Sequence, residues 1–151
     1  MTIFTIINKM ADFIDTNILL YSISNSPNET SKRRIALGIL ENEDCVLSVQ
    51  VLGEFYLRAT KPKERNQHNK ISEDDATSLI KSWLRFRTQI FTVDIVERAM
   101  KISKENKIGY WDSALVAAAE VANCNRFLSE DLNHLQKIGN VSIVNPFEDR
   151  I

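Results

Sequence analysis

The sequence predicts an α/β domain built on one parallel sheet of four to five short strands, flanked by helices on both faces. Three observations carry this. Short apolar runs, ending at Asp15, Val49, Val93, Ser129 and Val144, alternate with longer stretches of helical periodicity. Parallel strands need crossover connections, and helices between strands supply them and cover the sheet. At 151 residues with 44% apolar content the chain is one domain by length and large enough to bury its own core.

The elements follow in order. Phe13-Ile14 is the first strand, and Asp15 stands where it gives way to a short helix carrying Ile18, Leu19, Tyr21 and Ile23. Asn25-Ser26-Pro27-Asn28 is a turn, and Thr30 is positioned to cap a second helix with Ile35, Leu37, Ile39 and Leu40 on its apolar face. Cys45 to Val49 reads as the second strand. The next helix buries Val51, Leu52, Phe55, Tyr56 and Ala59 and carries Glu54. A polar, mostly basic loop spans Lys61 to Lys70. Ser72 with Asp75 is a capping pair that opens a helix over Ala76, Leu79, Ile80, Trp83, Leu84 and Phe86. Ile90 to Val93 is the expected third strand, with Asp94 capping the helix that follows and Glu97 at the matching position. Gly109 separates that helix from one opened by Tyr110-Trp111-Asp112. Ala114 to Ala122 is apolar almost all round, so this helix should be the most buried. Arg126 to Ser129 is the fourth strand, with a short helix expected after Glu130-Asp131-Leu132, and Val141 to Val144 is the last strand.

Bulk properties narrow the function. A net charge of −1 gives no overall attraction to polyanions, so any nucleic acid would have to be met by a local basic face. Cys45 and Cys124 are isolated, and His68 and His134 have no partner at zinc-ligand spacing, which points to buried reduced thiols in a cytoplasmic protein. No segment approaches membrane-spanning length, so no membrane partner is expected. The apolar Thr2 to Ile7 stretch lacks a signal peptide's flanks. The domain is expected to occupy residues 10–151, with 1–9 an extension that adds little to the fold.

Four carboxylates then stand out by position. Asp15 ends strand one, Glu54 lies in the first or second turn after strand two, Asp112 opens the buried helix, and Asp131 follows strand four by two residues. In a parallel sheet the residues after strands one, two and four emerge at one edge, where ligands collect. Asp112 reaches that edge only if its helix begins there. Each acid also has a structural reading: Asp15 as an N-cap, Asp112 and Asp131 as complements to a helix dipole, Glu54 as one exposed helix position. Gathered together, however, the acids would repel one another unless a cation neutralised them, and hard Mg²⁺ or Mn²⁺ is the cation that prefers such oxygen ligands.

The stretches Phe13-Ile14-Asp15-Thr16-Asn17-Ile18-Leu19, Ser48 leading to Glu54, Trp111-Asp112-Ser113-Ala114, Leu128-Ser129-Glu130-Asp131-Leu132 and Val144-Asn145-Pro146-Phe147 together resemble a PIN domain. In length and lack of appended domains the chain is most similar to the VapC-type toxins, ribonucleases of toxin–antitoxin pairs. The resemblance implies a Mg²⁺- or Mn²⁺-dependent endoribonuclease. Asp15, Asp112 and Asp131 would be metal ligands, and Glu54 would complete the acidic pocket. Thr16, Asn17 and Ser129 would orient carboxylates or waters. Glu130 is the neighbouring acid, with Asp131 taken as ligand because it follows Ser129 by two. The resemblance also implies an antitoxin that covers the pocket, and a homodimer. Candidate RNA-backbone contacts are Lys32, Arg33 and Arg34, then Lys61, Lys63 and Arg65 in the basic loop, then Lys81 and Arg85. The alternatives are a PIN-fold nuclease acting on DNA or on a particular nucleic-acid structure, and a binding module without catalysis.

Overall fold

The computed structural model describes residues 11–148, and the expected extension over residues 1–9 lies outside them. Its strands are β1 (Asp12–Ile14), β2 (Cys45–Ser48), β3 (Arg87–Gln89), β4 (Arg126–Leu128), β5 (Lys137–Ile138) and β6 (Val141–Val144). Its α-helices are α1 (Thr16–Ser22), α2 (Thr30–Leu40), α3 (Val49–Thr60), α4 (Glu73–Trp83), α5 (Val93–Asn106) and α6 (Tyr110–Val121). The strands form one sheet in the order β3-β2-β1-β4-β6-β5, parallel throughout except for the β5–β6 pair.

Burial shows that both faces of this sheet are covered. Successive side chains of a strand point to opposite faces. Phe13 and Ile14 are both fully buried, and all of β2 from Cys45 to Ser48 is buried. Phe13 pairs in register with Phe127 across β1 and β4, and their rings meet edge to face at 5.6 Å. Phe55 of α3 meets Trp83 of α4 in the same way at 4.7 Å. α6 has the longest unbroken buried run, every residue from Ser113 to Ala119, but the short α1 is the more buried over its length, with all its residues inside except Tyr21. The run of small side chains in α6 lies against α5.

The strand order creates the place where function collects. From β1 the chain steps outward to β2 and β3, then returns to lay β4 on the other side of β1. The sheet therefore reverses direction between β1 and β4, and a crevice opens outside the carboxyl ends of strands at such a point. The Asp15 backbone N–H donates to the Leu128 carbonyl at 3.1 Å, tying these two strand ends together.

Several local expectations are corrected. The third strand lies at Arg87–Gln89, not Ile90–Val93, because Thr92 caps α5 by accepting from the Ile95 N–H and draws Val93 into the helix. Asp94 is thus a first-turn acid paired with Arg98 at 2.8 Å. Val49 begins α3, capped by Ser48. Thr30 is the first residue of α2 and not its cap, and Ala36 replaces the exposed Leu37 on the buried face. The chain after Leu132 forms no helix but turns into β5, a two-residue strand too short to leave a periodic signal. Gly139 turns this hairpin with φ of 58°, and a side chain there would collide with the Glu120 carboxylate.

Phe127→Ala removes the ring that joins β1 to β4 and should cost about 3–5 kcal/mol. Urea denaturation checks this, and a loss under about 1 kcal/mol would show that the β1–β4 contact is not central to the core.

Candidate active site

Asp15 is both things its sequence position allows. Its Oδ1 accepts from the Thr16 N–H at 2.7 Å as the N-cap of α1, while its Oδ2 accepts from Ser129 Oγ at 2.6 Å. Ser129 follows β4 and is fully buried, and its hydroxyl oxygen also accepts the Asp131 N–H at 3.1 Å. One hydroxyl thus ties the end of β1 to the loop after β4. The next residues of α1 reach the other acids. Thr16 Oγ1 donates to Glu54 Oε2 at 2.9 Å, and Asn17 Nδ2 donates to Asp131 Oδ2 at 3.2 Å. Gln50, one turn before Glu54 on α3, donates to its second oxygen at 3.3 Å.

Asp112 enters from a different direction. Lys107 closes α5 in a left-handed conformation, and Gly109 in extended conformation starts α6, whose first turn carries Asp112. Its carboxyl is pushed up by burial and then by the charges of Asp131 and Glu54, so it lies in the same field as they do. The acids also differ in depth: Asp15 is buried, Glu54 and Asp112 are half-buried, and Asp131 is exposed at the rim.

That depth sets their protonation. Burial raises the Asp15 pKa to about 7 against the Ser129 hydrogen bond, with Asp131 and Asp112 pushing the same way. Asp131 is raised by burial and by Glu130, while Arg58 and Asn17 oppose the shift. Among the described residues no three Asp, Glu, His or Cys side chains stand close enough to hold an ion as they are. The donor set nevertheless fits a hard divalent cation. It is all oxygen, it repels itself, and the buried Asn17 Oδ1 has no hydrogen-bond donor.

The remaining candidates divide. Glu130 lines the same cavity as Asp131 but is engaged elsewhere, accepting from Tyr21 Oη and pairing with Lys32 at 2.9 Å. Lys32 is thereby engaged. Arg85 donates to the carbonyls of Leu40 and Ser82 and binds the fold together. Arg33, Arg34, Lys61, Lys63, Arg65 and Lys81 are exposed. Arg58 was not singled out by the sequence because it sits alone in an apolar helix. Its signal was its spacing, one helical turn after Glu54 on the same face.

Asp15 gives the metal-free protein a pH signature. Between about pH 4 and about pH 7 the folded state keeps a proton on Asp15 that the unfolded chain has lost, so stability should fall across that window and level off above it. Asp15→Asn should flatten this slope, a difference on the order of a few kcal/mol by pH 7. Urea midpoints of both proteins in chelator from pH 4 to 8 test it. Parallel curves would show that Asp15 ionises normally.

Comparison with known proteins agrees with this architecture. Among curated proteins none matches by sequence. The fold is similar to that of a toxin–antitoxin complex from Klebsiella pneumoniae, with TM-score 0.66, 20% identity, 92% of this chain and 100% of that one covered. It is also similar to VapBC2 from Rickettsia felis bound to a promoter DNA fragment (0.60, 19%, 89% and 97%). A third likeness is to VapC20 from Mycobacterium tuberculosis, a sarcin-ricin loop cleaving toxin (0.57, 17%, 80% and 92%). At these identities the likeness establishes the fold. The PIN domain family model matches residues 13–140, from the first strand to the turn before the last, and the chain belongs to that family.

Proposed function

We propose that this protein is a Mg²⁺- or Mn²⁺-dependent endoribonuclease, the toxin of a toxin–antitoxin pair acting in the cytoplasm. The observation that carries the reading is the Ser129 hydroxyl: it binds Asp15 and the Asp131 backbone at once, within the field of Asp112 and Glu54, at the crevice where the sheet reverses. The fold neighbours support it, since their names describe toxin–antitoxin complexes and, for VapC20, cleavage of the sarcin-ricin loop.

In this reading Asp15, Asp112 and Asp131 hold the cation, and Glu54 completes the negative pocket. The bound cation would acidify the attacking water and neutralise charge on the phosphate as its bond breaks. The chain's own groups prepare that state. Ser129 and the Thr16 N–H fix both oxygens of Asp15, so its carboxylate cannot rotate away. Thr16 and Asn17, neighbours on α1, hold Glu54 and Asp131 at a set spacing. The unpartnered Asn17 Oδ1 is free to accept from a water in the site. An antitoxin that covers this pocket and a homodimeric toxin complete the proposal. Among the described residues no helix is long and apolar enough to cross a membrane.

Incubating the protein with total RNA, with and without Mn²⁺, and mapping the cut ends tests the activity. Cleavage is expected only with metal and only with Asp112 intact, and an Asp112→Asn protein that still cuts would overturn the assignment. The same variant should be as stable as the parent or more so in chelator, because it relieves repulsion. Mg²⁺ or Mn²⁺ at about 100 times Kd should raise Tm by roughly 5–10 °C. No shift with either ion would count against the metal site.

A further inference from the structure

The acid recess contains a cation of its own. Asn17, Glu130 and Asp131 line a cavity of about 130 Å³ together with two basic side chains, Arg58 and His68. His68 is taken by Glu29 at 3.2 Å, and Glu130 by Lys32 at 2.9 Å. Arg58 is left over. Among the described residues it makes no ion pair, unlike Lys32, Arg98 and Arg126. Its natural partner would be Glu54, one helical turn earlier on α3, but Thr16 and Gln50 hold that carboxylate instead. Lys61, Lys63 and Arg65 line a neighbouring positive pocket of about 320 Å³, which shares Arg58 with this cavity. Arg58 is thus the cation that Asp131 feels, and its charge opposes the upward shift there. The buried Asn17 Oδ1, without a donor, lines the same cavity.

We propose that Arg58 is a built-in counter-cation of the acid recess: it lends its charge to the carboxylates when no divalent ion is bound, and by the same charge it weakens the binding of Mg²⁺ or Mn²⁺. This deepens the metal-dependent reading and rests on it. Carboxylates gathered at one crevice repel one another, and the metal-free fold must bear that repulsion. A guanidinium keeps its charge at every working pH, so the relief it gives does not titrate away. Arg58 and Asp131 both lie exposed at the rim, where the charge is supplied without burying either partner. An arriving divalent ion then meets a like charge. Across a wet, screened rim that repulsion changes affinity severalfold and not by many orders of magnitude. The concentration of ion at which the recess fills is therefore set by α3 as well as by the ligands. A simpler role is also open to Arg58, since it lies in the last turn of α3, where a cation complements the helix dipole. That role would leave the affinity for metal untouched.

The test is calorimetric titration of the full chain with Mn²⁺, free of nucleic acid, so that binding is read without cleavage. Arg58→Met keeps the apolar stem and removes the charge. It should tighten the Kd for Mn²⁺ at least about threefold near 0.02 M salt, and the gain should shrink toward 0.5 M as screening grows. Arg58→Gln repeats the measurement with a polar neutral side chain and should behave alike. Arg58→Lys restores the charge and should return the Kd to within about twofold of the parent. Lys137→Met removes the same net charge from β5, the outermost strand, and should leave the Kd unchanged. A parental Kd in both neutral variants would overturn the proposal. So would an equal tightening in Lys137→Met, which would assign the effect to net charge alone, or a failure of Arg58→Lys to reverse it. The outcomes separate the two readings. If the parent binds Mn²⁺ and the neutral variants bind no tighter, the counter-cation falls and the metal site stands. If neither the parent nor the variants bind an ion, the metal site falls and takes this inference with it.

Discussion

The rest of the site depends on a buried carboxylate at the end of a central strand. Asp15 stands at the junction of β1 and α1, deep enough that burial, the largest influence on it, raises its pKa to about 7. A group of that kind is tolerated only if its oxygens are occupied, and here each has one donor, from the Thr16 backbone and from Ser129. The donors stand just beyond the ends of β1 and β4, the two strands that border the reversal of the sheet. The packing that buries Phe13 against Phe127 therefore also fixes Asp15 against Ser129. Core and site are one structure at this point, and a shift of β4 relative to β1 would move both.

Much of the fold was legible in the sequence because its signals are local. Strand–helix alternation, the Ser72 cap and the all-round apolar character of α6 are read from neighbours a few residues apart, and each appears in the structure. The errors share a cause too. Ile90 to Val93 looks like a strand by composition, but Ile90 and Val93 are exposed at 63% and 74%, because Thr92 is a better helix cap than a strand residue. A two-residue β5 has no period to detect, and it exists only because β6 offers it an edge. The acids were legible as candidates by position along the chain. Their depths were not, since burial of Asp15 and exposure of Asp131 follow from neighbours more than a hundred residues away.

Charge in this molecule is arranged by consumption. Most basic residues flagged by the sequence are indistinguishable there, yet the fold uses some and spares others. Arg85 closes the turn after α4 onto the end of α2, and Arg126 clamps Asp12 across β1 and β4 with two hydrogen bonds at 2.7 and 2.9 Å. What remains unneutralised beside the acids is confined to the end of α3 and the loop after it. A near-neutral chain can thus present a negative recess and a positive recess side by side, with the desolvation cost greatest at Asp15 and shared by Asp112 and Asp131. The rim groups Asp131 and Arg58 stay near water, where bringing a charge to them costs little.

The adjacent acids Glu130 and Asp131 show how such a division is made. Neighbouring carboxylates on one loop are interchangeable by sequence, and if both pointed into the recess their repulsion would add to that already borne by Asp15. The structure gives them opposite partners. Asp131 is drawn inward by Asn17 of α1 and by its own N–H on Ser129. Glu130 is instead held by Tyr21, one turn further along the same helix, and by Lys32 of α2. Lys32 is in turn held over the rings of Tyr21 and Phe147 at 4.8 and 5.5 Å, and those rings meet edge to face at 4.9 Å. Burial and the Glu130 contact push the Tyr21 hydroxyl up to about 12, so it stays protonated and able to donate throughout the working pH range. α1 is only seven residues long, yet Thr16, Asn17 and Tyr21 between them position Glu54, Asp131 and Glu130. That concentration of polar work on one buried helix explains why its polar face is turned inward along with its apolar one.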